Sequence, residues 1–384
     1  MQQAIPDMPI IDVDTHWAEP RDLWTSRAPA KFKDVAPRIE RNDQGIDNWV
    51  VEEGMFLSTV GYCVIKRDGG KILGKLAVDT FEEMHPSASQ PKERLKMMDE
   101  HGLTLQILYP NTLGFAGSFV MNMKDPELRD FCVTAYNDAM GEVAAEGEGR
   151  LHPQAVVPFW DIELAVSEVE RCHDKYGMTG FVISDSPENW GLPTLVKPYW
   201  DPLWSTAQER GLPVNFHIGG GFSTGEPWQG FQAPGGIACS STLAHLGNIR
   251  CVTNLIFSGL LDRYPSLKFV SVESGIGWMP FLLEFAEWQF DENKVTHLDL
   301  RPTEYFKRQI YGSYWFESDA ETVIRKLGAD NIMFETDMPH PTCLYPSIQE
   351  KVGQTLGDLG EDVQRKVLYE NAARVYQLEI PSAA

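Results

Sequence analysis

Basic residues are scarce in this sequence. Thirty-three Lys and Arg stand against 55 Asp and Glu, a formal net charge of −22 over 384 residues. A surface of that sign repels polyanions, which excludes nucleic acid and anionic membranes as partners. Long hydrophobic runs are also missing. Nothing approaches the roughly 18 consecutive apolar residues that a membrane-crossing helix needs. The opening stretch from Met1 to Asp7 has neither a basic nor an apolar region, so no secretory signal is expected. The six cysteines, at 63, 132, 172, 239, 251 and 343, form no Cys-x-x-Cys pair. That argues against a zinc ribbon or a dithiol redox motif and suggests reduced thiols in a cytoplasmic protein. Neither a repeat nor a low-complexity linker divides the chain.

What is present is an alternation. Short β-rich apolar runs begin at Met8–His16 and recur at Leu103–Tyr109, Leu151–Val157, Gly180–Ser184, Leu212–His217, Leu267–Glu273, Tyr311–Phe316 and Asn331–Thr336. Helical segments are predicted between them, near 91–101, 126–147, 161–176, 200–210, 238–262, 278–292 and 319–327, with a last helical region reaching about 376. One helix carries Trp278, Phe281, Leu282, Phe285 and Trp288 as an apolar stripe, with Trp278 expected in the core. Eight such units in order imply an α/β fold, a (β/α)8 TIM barrel occupying residues 1–384 as a single domain. The excursion at about 18–90 reads as a β-containing insert after strand 1. Trp49-Val-Val and Tyr62–Lys66 are expected as its strands, and Trp24, Trp49 and Tyr62 as a surface for another chain.

A barrel of this kind does its chemistry at the C-terminal ends of its strands. Several polar residues fall there. Asp12, Asp14 and His16 alternate at period two, so a strand would turn all three to one face. His217 closes the fifth run, Glu273 the sixth, and Asp337 lies just past the eighth, with His340 three residues on. Each alone has a bland reading as a cap or a hydrogen-bonded core residue. Together they would crowd carboxylates and imidazoles at one mouth, an arrangement that calls for a cation. His with carboxylates suits zinc, manganese or iron better than calcium or magnesium. Trp17, Trp190, Trp228 and Trp315 could wall an aromatic substrate. Asn111, Ser184 and Asp185 could line the pocket, while Arg250, Arg301 and Arg308 could meet a substrate carboxylate. The glycine-rich run Gly219–Gly225 reads as a mouth loop and not a phosphate loop.

Ile11-Asp-Val-Asp-Thr-His16, Leu255-Ile-Phe-Ser-Gly259, Glu273-Ser-Gly-Ile-Gly-Trp278 and Thr336-Asp-Met-Pro-His340 together resemble the amidohydrolase superfamily. The likeness is to the amidohydrolase-related branch that includes aminocarboxymuconate-semialdehyde decarboxylase. The resemblance implies Asp14, His16, His217 and Asp337 as metal ligands, and beside them Glu273 or His340 is the candidate catalytic acid–base group. It implies a metal-dependent hydrolase or decarboxylase-like lyase acting on a small organic acid or ring compound. Zinc is the first expectation, with manganese or iron as alternatives. Two departures stand out: Asp14 replaces the first His of a His-x-His pair, and Glu273 stands where decarboxylases carry a His. The excess of carboxylates, with Asp12 and His245 in reserve, keeps a dinuclear Mn/Fe or diiron monooxygenase open as a second reading. A metal-binding partner subunit without catalysis is a third. The expected partners are a small-molecule substrate and further copies of the chain in a homo-oligomer, with a hetero-oligomer as the variant.

Overall fold

The structure, a computed structural model, describes residues 7–221, 228, 230 and 232–380. Of the glycine-rich mouth loop, residues 222–225 lie outside the described residues. Parallel strands ring the centre: β1 (Ile11–Trp17), β2 (Leu105–Pro110), β3 (Leu151–Pro153 and Ala155–Val156), β4 (Phe181–Val182), β5 (Val214–His217), β6 (Phe269–Val272), β7 (Ile310–Tyr314) and β8 (Ile332–Phe334). Their order is β3-β2-β1-β8-β7-β6-β5-β4-β3, and the two pieces of β3 meet across Gln154, so the sheet closes on itself. Every neighbouring pair is parallel. This is the α/β TIM barrel that the alternation implies.

Local chemistry explains the crossover helices. Asp125 accepts from the N–H groups of Glu127 and Leu128 to start the helix Pro126–Glu146, and Asp161 does the same for Ile162–Tyr176. Gly177 and Gly211 end their helices in the left-handed conformation that costs glycine least. The strands are shorter than the apolar runs containing them, so Glu273, Glu335 and Asp337 lie beyond β6 and β8, in the turns at the mouth.

Several expectations are corrected. The helix after β5 runs Ala233–Phe257 and is followed by a separate turn, Leu260–Arg263, because Gly259 at φ 75° breaks it. A helix at Pro302–Gln309 precedes β7 and was not foreseen. After β1 come a three-stranded antiparallel sheet (Arg38–Arg41, Asp47–Val51, Met55–Thr59) and a two-stranded one (Gly61–Tyr62 with Ala77–Val78). The strand expected at Tyr62–Lys66 stops at Tyr62. Trp24 and Trp49 are fully buried and packed edge to face at 5.0 Å, so they make core and not an interface. Conversely, Trp278 is only half-buried, and Phe281, Phe285 and Trp288 of the helix Met279–Glu292 are exposed. No helix of the described residues is long and apolar enough to cross a membrane.

Candidate metal centre

Asp14 and His16 project from β1, His217 ends β5, Glu273 follows β6, and Asp337 and His340 follow β8. All six are buried. His16 Nδ1 lies 2.9 Å from the carbonyl of Pro110, and His217 Nδ1 lies 2.8 Å from that of Ile218. A carbonyl only accepts, so each Nδ1 carries a proton, and in the neutral ring each Nε2 presents a lone pair. Those two Nε2 atoms are 3.0 Å apart. Burial, with His340 and His217 beside it, drives the His16 imidazole well below its usual range, so it is neutral. Two facing lone pairs at hydrogen-bond distance repel unless a cation sits between them.

The carboxylates point the same way. His217 Nε2 is 3.4 Å from Asp14 Oδ1 and 3.2 Å from Glu273 Oε2, and His16 Nε2 is 3.9 Å from Asp337 Oδ1. Both carboxylate oxygens of Asp14, together with Glu273 Oε2, are buried with no hydrogen-bond partner among the described residues. Orphaned buried acceptors are costly, and here they converge. Asp14, His16, His217 and Glu273 offer donor atoms within 4.8 Å of one another, and so do His16, Glu273, Asp337 and His340. The two sets share His16 and Glu273, so they describe one mouth. Three kinds of donor (imidazole nitrogen, Asp and Glu oxygens) around a buried point fit a divalent transition metal.

Asp337 and His340 are fixed by their own turn. Asp337 takes φ 62°, its N–H donates to Asp14 O at 3.0 Å, and Thr342 Oγ1 donates to Asp337 Oδ2 at 2.6 Å. His340 Nδ1 is 2.6 Å from Asp337 Oδ1, its ring stacks on His16 at 3.8 Å, and its buried Nε2 has no partner among the described residues. Burial, then the carboxylates of Asp337 and Asp14, raises the Glu273 carboxyl well above the ordinary range.

Not every expected residue joins the mouth. Asp12 is bound by Thr336 and Gln106, and burial lifts its pKa to about 7. His245 falls in neither donor set. Trp17 and Trp315 are buried, whereas Trp228 is 86% exposed. Asn111 holds the insert by donating to Tyr62 O at 2.8 Å. Arg301 pairs with Glu287 and Asp291, and Arg308 reaches Leu261 O and Asp262, all on helices. Only Arg250 of the three reaches the strand-end side, with Ser186, Glu188 and Asp185 as partners.

Four residues had escaped sequence reasoning. Phe115 packs against His16, His217 and His340 at centroid distances of 4.8, 4.6 and 5.4 Å, forming an aromatic wall. Cys63 of the insert lies close enough to Glu273 and Asp337 for their charges to raise its thiol further above a value already lifted by burial. Arg94 is wholly buried and donates to His16 O at 2.7 Å. Glu335 is wholly buried beside Glu273. The one available signal was for Glu335: an acid directly after the apolar run Ile332–Phe334.

A family described as amidohydrolase matches residues 11–378. A gamma-resorcylate decarboxylase of Polaromonas sp. (strain JS666 / ATCC BAA-500) is 27% identical over 267 residues, 64% of this chain and 76% of that protein. Among solved structures, an amidohydrolase of Mycobacterium avium subsp. paratuberculosis K-10 superposes with a TM-score of 0.74 at 22% identity, covering 96% of this chain and 99% of that one. A dihydroxybenzoic acid decarboxylase of Polaromonas sp. JS666, holding manganese and the inhibitor 2-nitroresorcinol, has a TM-score of 0.59 at 18% identity over 96% and 97% of the two chains.

Proposed function

The chain belongs to the amidohydrolase family and is an enzyme, and from that premise we propose that it is a metal-dependent decarboxylase of a small hydroxylated aromatic acid. The observation that carries the reading is the pair of imidazole Nε2 atoms 3.0 Å apart, ringed by orphaned carboxylate oxygens. Asp14, His16, His217 and Asp337 would hold one divalent ion. Sequence alone puts zinc first. The carboxylate-rich set and the manganese held by the Polaromonas decarboxylase favour manganese, and elemental analysis decides between manganese, zinc and iron. Two redox-active metals per chain would favour the dinuclear oxygenase instead, and the same elemental analysis counts them.

The bound cation would polarise substrate oxygens and stabilise negative charge as carbon dioxide departs. The rest falls to the protein. The carbon–carbon bond breaks, its electron pair stays on the ring, and a proton must reach that carbon. Glu273 would give it: burial raises its carboxyl, and a neighbouring cation would lower it, opposing effects that let a group exchange protons. With Nδ1–H held by Asp337, His340 Nε2 can take up a proton from solvent and pass it on to Glu273. Phe115 offers the ring an offset-stacking face. Of Arg250, Arg301 and Arg308, Arg250 is the best placed for a further anionic substituent.

The test is carbon dioxide release from gamma-resorcylate and related hydroxybenzoates by manganese-loaded protein, before and after chelation. Release that stops on chelation and returns with metal is the expected result. A metal-loaded chain inert across the panel, or one active when stripped, overturns it. Exposed Phe281, Phe285 and Trp288 support a homo-oligomer, and six free thiols agree with a cytoplasmic setting. Light scattering tests the first.

A further inference from the structure

A ligand has to reach three imidazoles that are closed off: His16, His217 and His340 are 0, 1 and 3% exposed. Among the described residues, two rings other than histidine pack on them. Tyr109, with its centroid 5.3 Å from that of His217, is wholly buried in β2, whereas Phe115 is partly exposed in the loop that follows. Phe115 meets all three imidazoles, at centroid distances of 4.8, 4.6 and 5.4 Å. Aromatic rings in contact have centroids about 4.5–7 Å apart, so no further ring fits between Phe115 and these imidazoles. Admitting one would take about 3.5 Å more, the separation at which carbon atoms touch.

The loop is built to give that room. Gly114 O accepts from Gly117 N–H at 2.8 Å, which closes a β-turn with Phe115 and Ala116 at its tip. The backbone of Phe115 itself makes no hydrogen bond among the described residues, so packing holds the ring in place. Gly114 and Gly117 take φ 78° and 71° on either side of the tip, and glycine exchanges such values for others at little steric cost. Facing the ring is Gly219, two residues past His217. A Cβ there would stand 3.3 Å from Phe115 Cδ2, so any side chain at 219 would crowd the ring where glycine leaves it clear.

We infer that Phe115 is a gate: its ring closes the imidazoles off from solvent, and the Gly114–Gly117 turn swings it aside to admit a ligand. What the gate guards rests on the metal reading above, and the gate itself rests on packing alone. A gate lies on the path and not in the end states, so it governs rates and leaves equilibria unchanged.

Manganese exchange, followed by the free-ion electron paramagnetic resonance signal, is the first measurement. Phe115→Ala should speed both uptake and release to excess chelator by about 10-fold, with Kd within about 3-fold of the parent. Phe115→Leu keeps apolar cover of similar bulk and should stay within about 3-fold of the parent rates. A loosened site would instead raise the release rate and Kd together. That result overturns the inference, as do unchanged rates in Phe115→Ala. The second measurement needs no metal. Diethyl pyrocarbonate acylates accessible imidazole nitrogens, and peptide masses locate the adducts. In metal-free protein, acylation of His340, whose Nε2 has no partner among the described residues, should be about 10-fold faster in Phe115→Ala, with exposed His297 as an unchanged reference. Equal protection of His340 in parent and variant overturns the inference. Should the parent bind no manganese, the metal reading fails, and the acylation comparison still decides the role of Phe115. If Phe115→Ala does not fold, Phe115→Val serves instead, with a smaller acceleration expected in both measurements.

Discussion

Asp12 and Asp14 are two residues apart on one strand, both fully buried, and opposite in circumstance. Asp12 accepts from Thr336 N at 2.8 Å, Thr336 Oγ1 at 2.6 Å and Gln106 Nε2 at 3.0 Å. Gln106 is in turn held by Arg94, which also donates to Ser87 O and His16 O. Asp14 has no hydrogen-bond partner on either oxygen among the described residues. Around Asp12 the polar network is thus closed, and at Asp14 it is open. A satisfied buried polar group specifies structure, whereas an unsatisfied one marks where something else must bind.

The sharpest way to break that comparison is to neutralise each acid. Asp14→Asn should abolish stoichiometric manganese binding and activity while leaving thermal stability equal or higher, since it relieves repulsion among Asp14, Glu273 and Asp337. Asp12→Asn should keep the metal yet cost about 1–3 kcal/mol of stability by upsetting paired acceptors. Elemental analysis and denaturant melts read both, and a metal-free but fully stable Asp12→Asn would reverse the assignment.

Arg94→Leu removes the buried cation of the Asp12 network and orphans three acceptors. A loss of about 3–5 kcal/mol is expected in urea unfolding, with metal still bound by the folded fraction. A loss below about 1 kcal/mol would mean that the network is not structural.

Asp185, at the rim, lies between the two cases. Burial lifts its pKa from 3.8 to about 6, against the opposing pull of Ser186 and Arg250. Because the folded value exceeds the unfolded one, its contribution to stability is full below about pH 4 and is lost as pH rises through 6. The change amounts to about 3 kcal/mol at most. Asp185→Asn should flatten this part of the stability–pH curve between pH 4 and 7. An unchanged slope would show that Asp185 titrates normally.

The smallest effect belongs to the outer face. Phe281→Ser, at a residue 74% exposed, should move stability by no more than about 0.5 kcal/mol. If the chain self-associates there, light scattering will show a lower mass.

Much of this was legible beforehand. The barrel follows from the alternation of apolar runs, because strand and helix periods are local properties of the chain. The mouth residues Asp14, His16, His217, Glu273, Asp337 and His340 were found because each breaks or directly follows an apolar run. Phe115 and Arg94 carried no such mark: a loop aromatic and a helical arginine look ordinary until their neighbours are known. The stripe Trp278–Trp288 misled for the opposite reason, since periodicity shows that a face exists and not what covers it.

By itself, then, the sequence determined the order of strands and helices, the acidic surface and the set of side chains able to meet at the strand ends. Tertiary structure alone decided which of them lack partners. Asp12 and Asp14 share one chemistry and one strand, but Thr336 and Gln106 reach only the first. Hydrogen-bond satisfaction depends on atoms up to 324 residues away in the chain, and no local pattern encodes a contact at that separation.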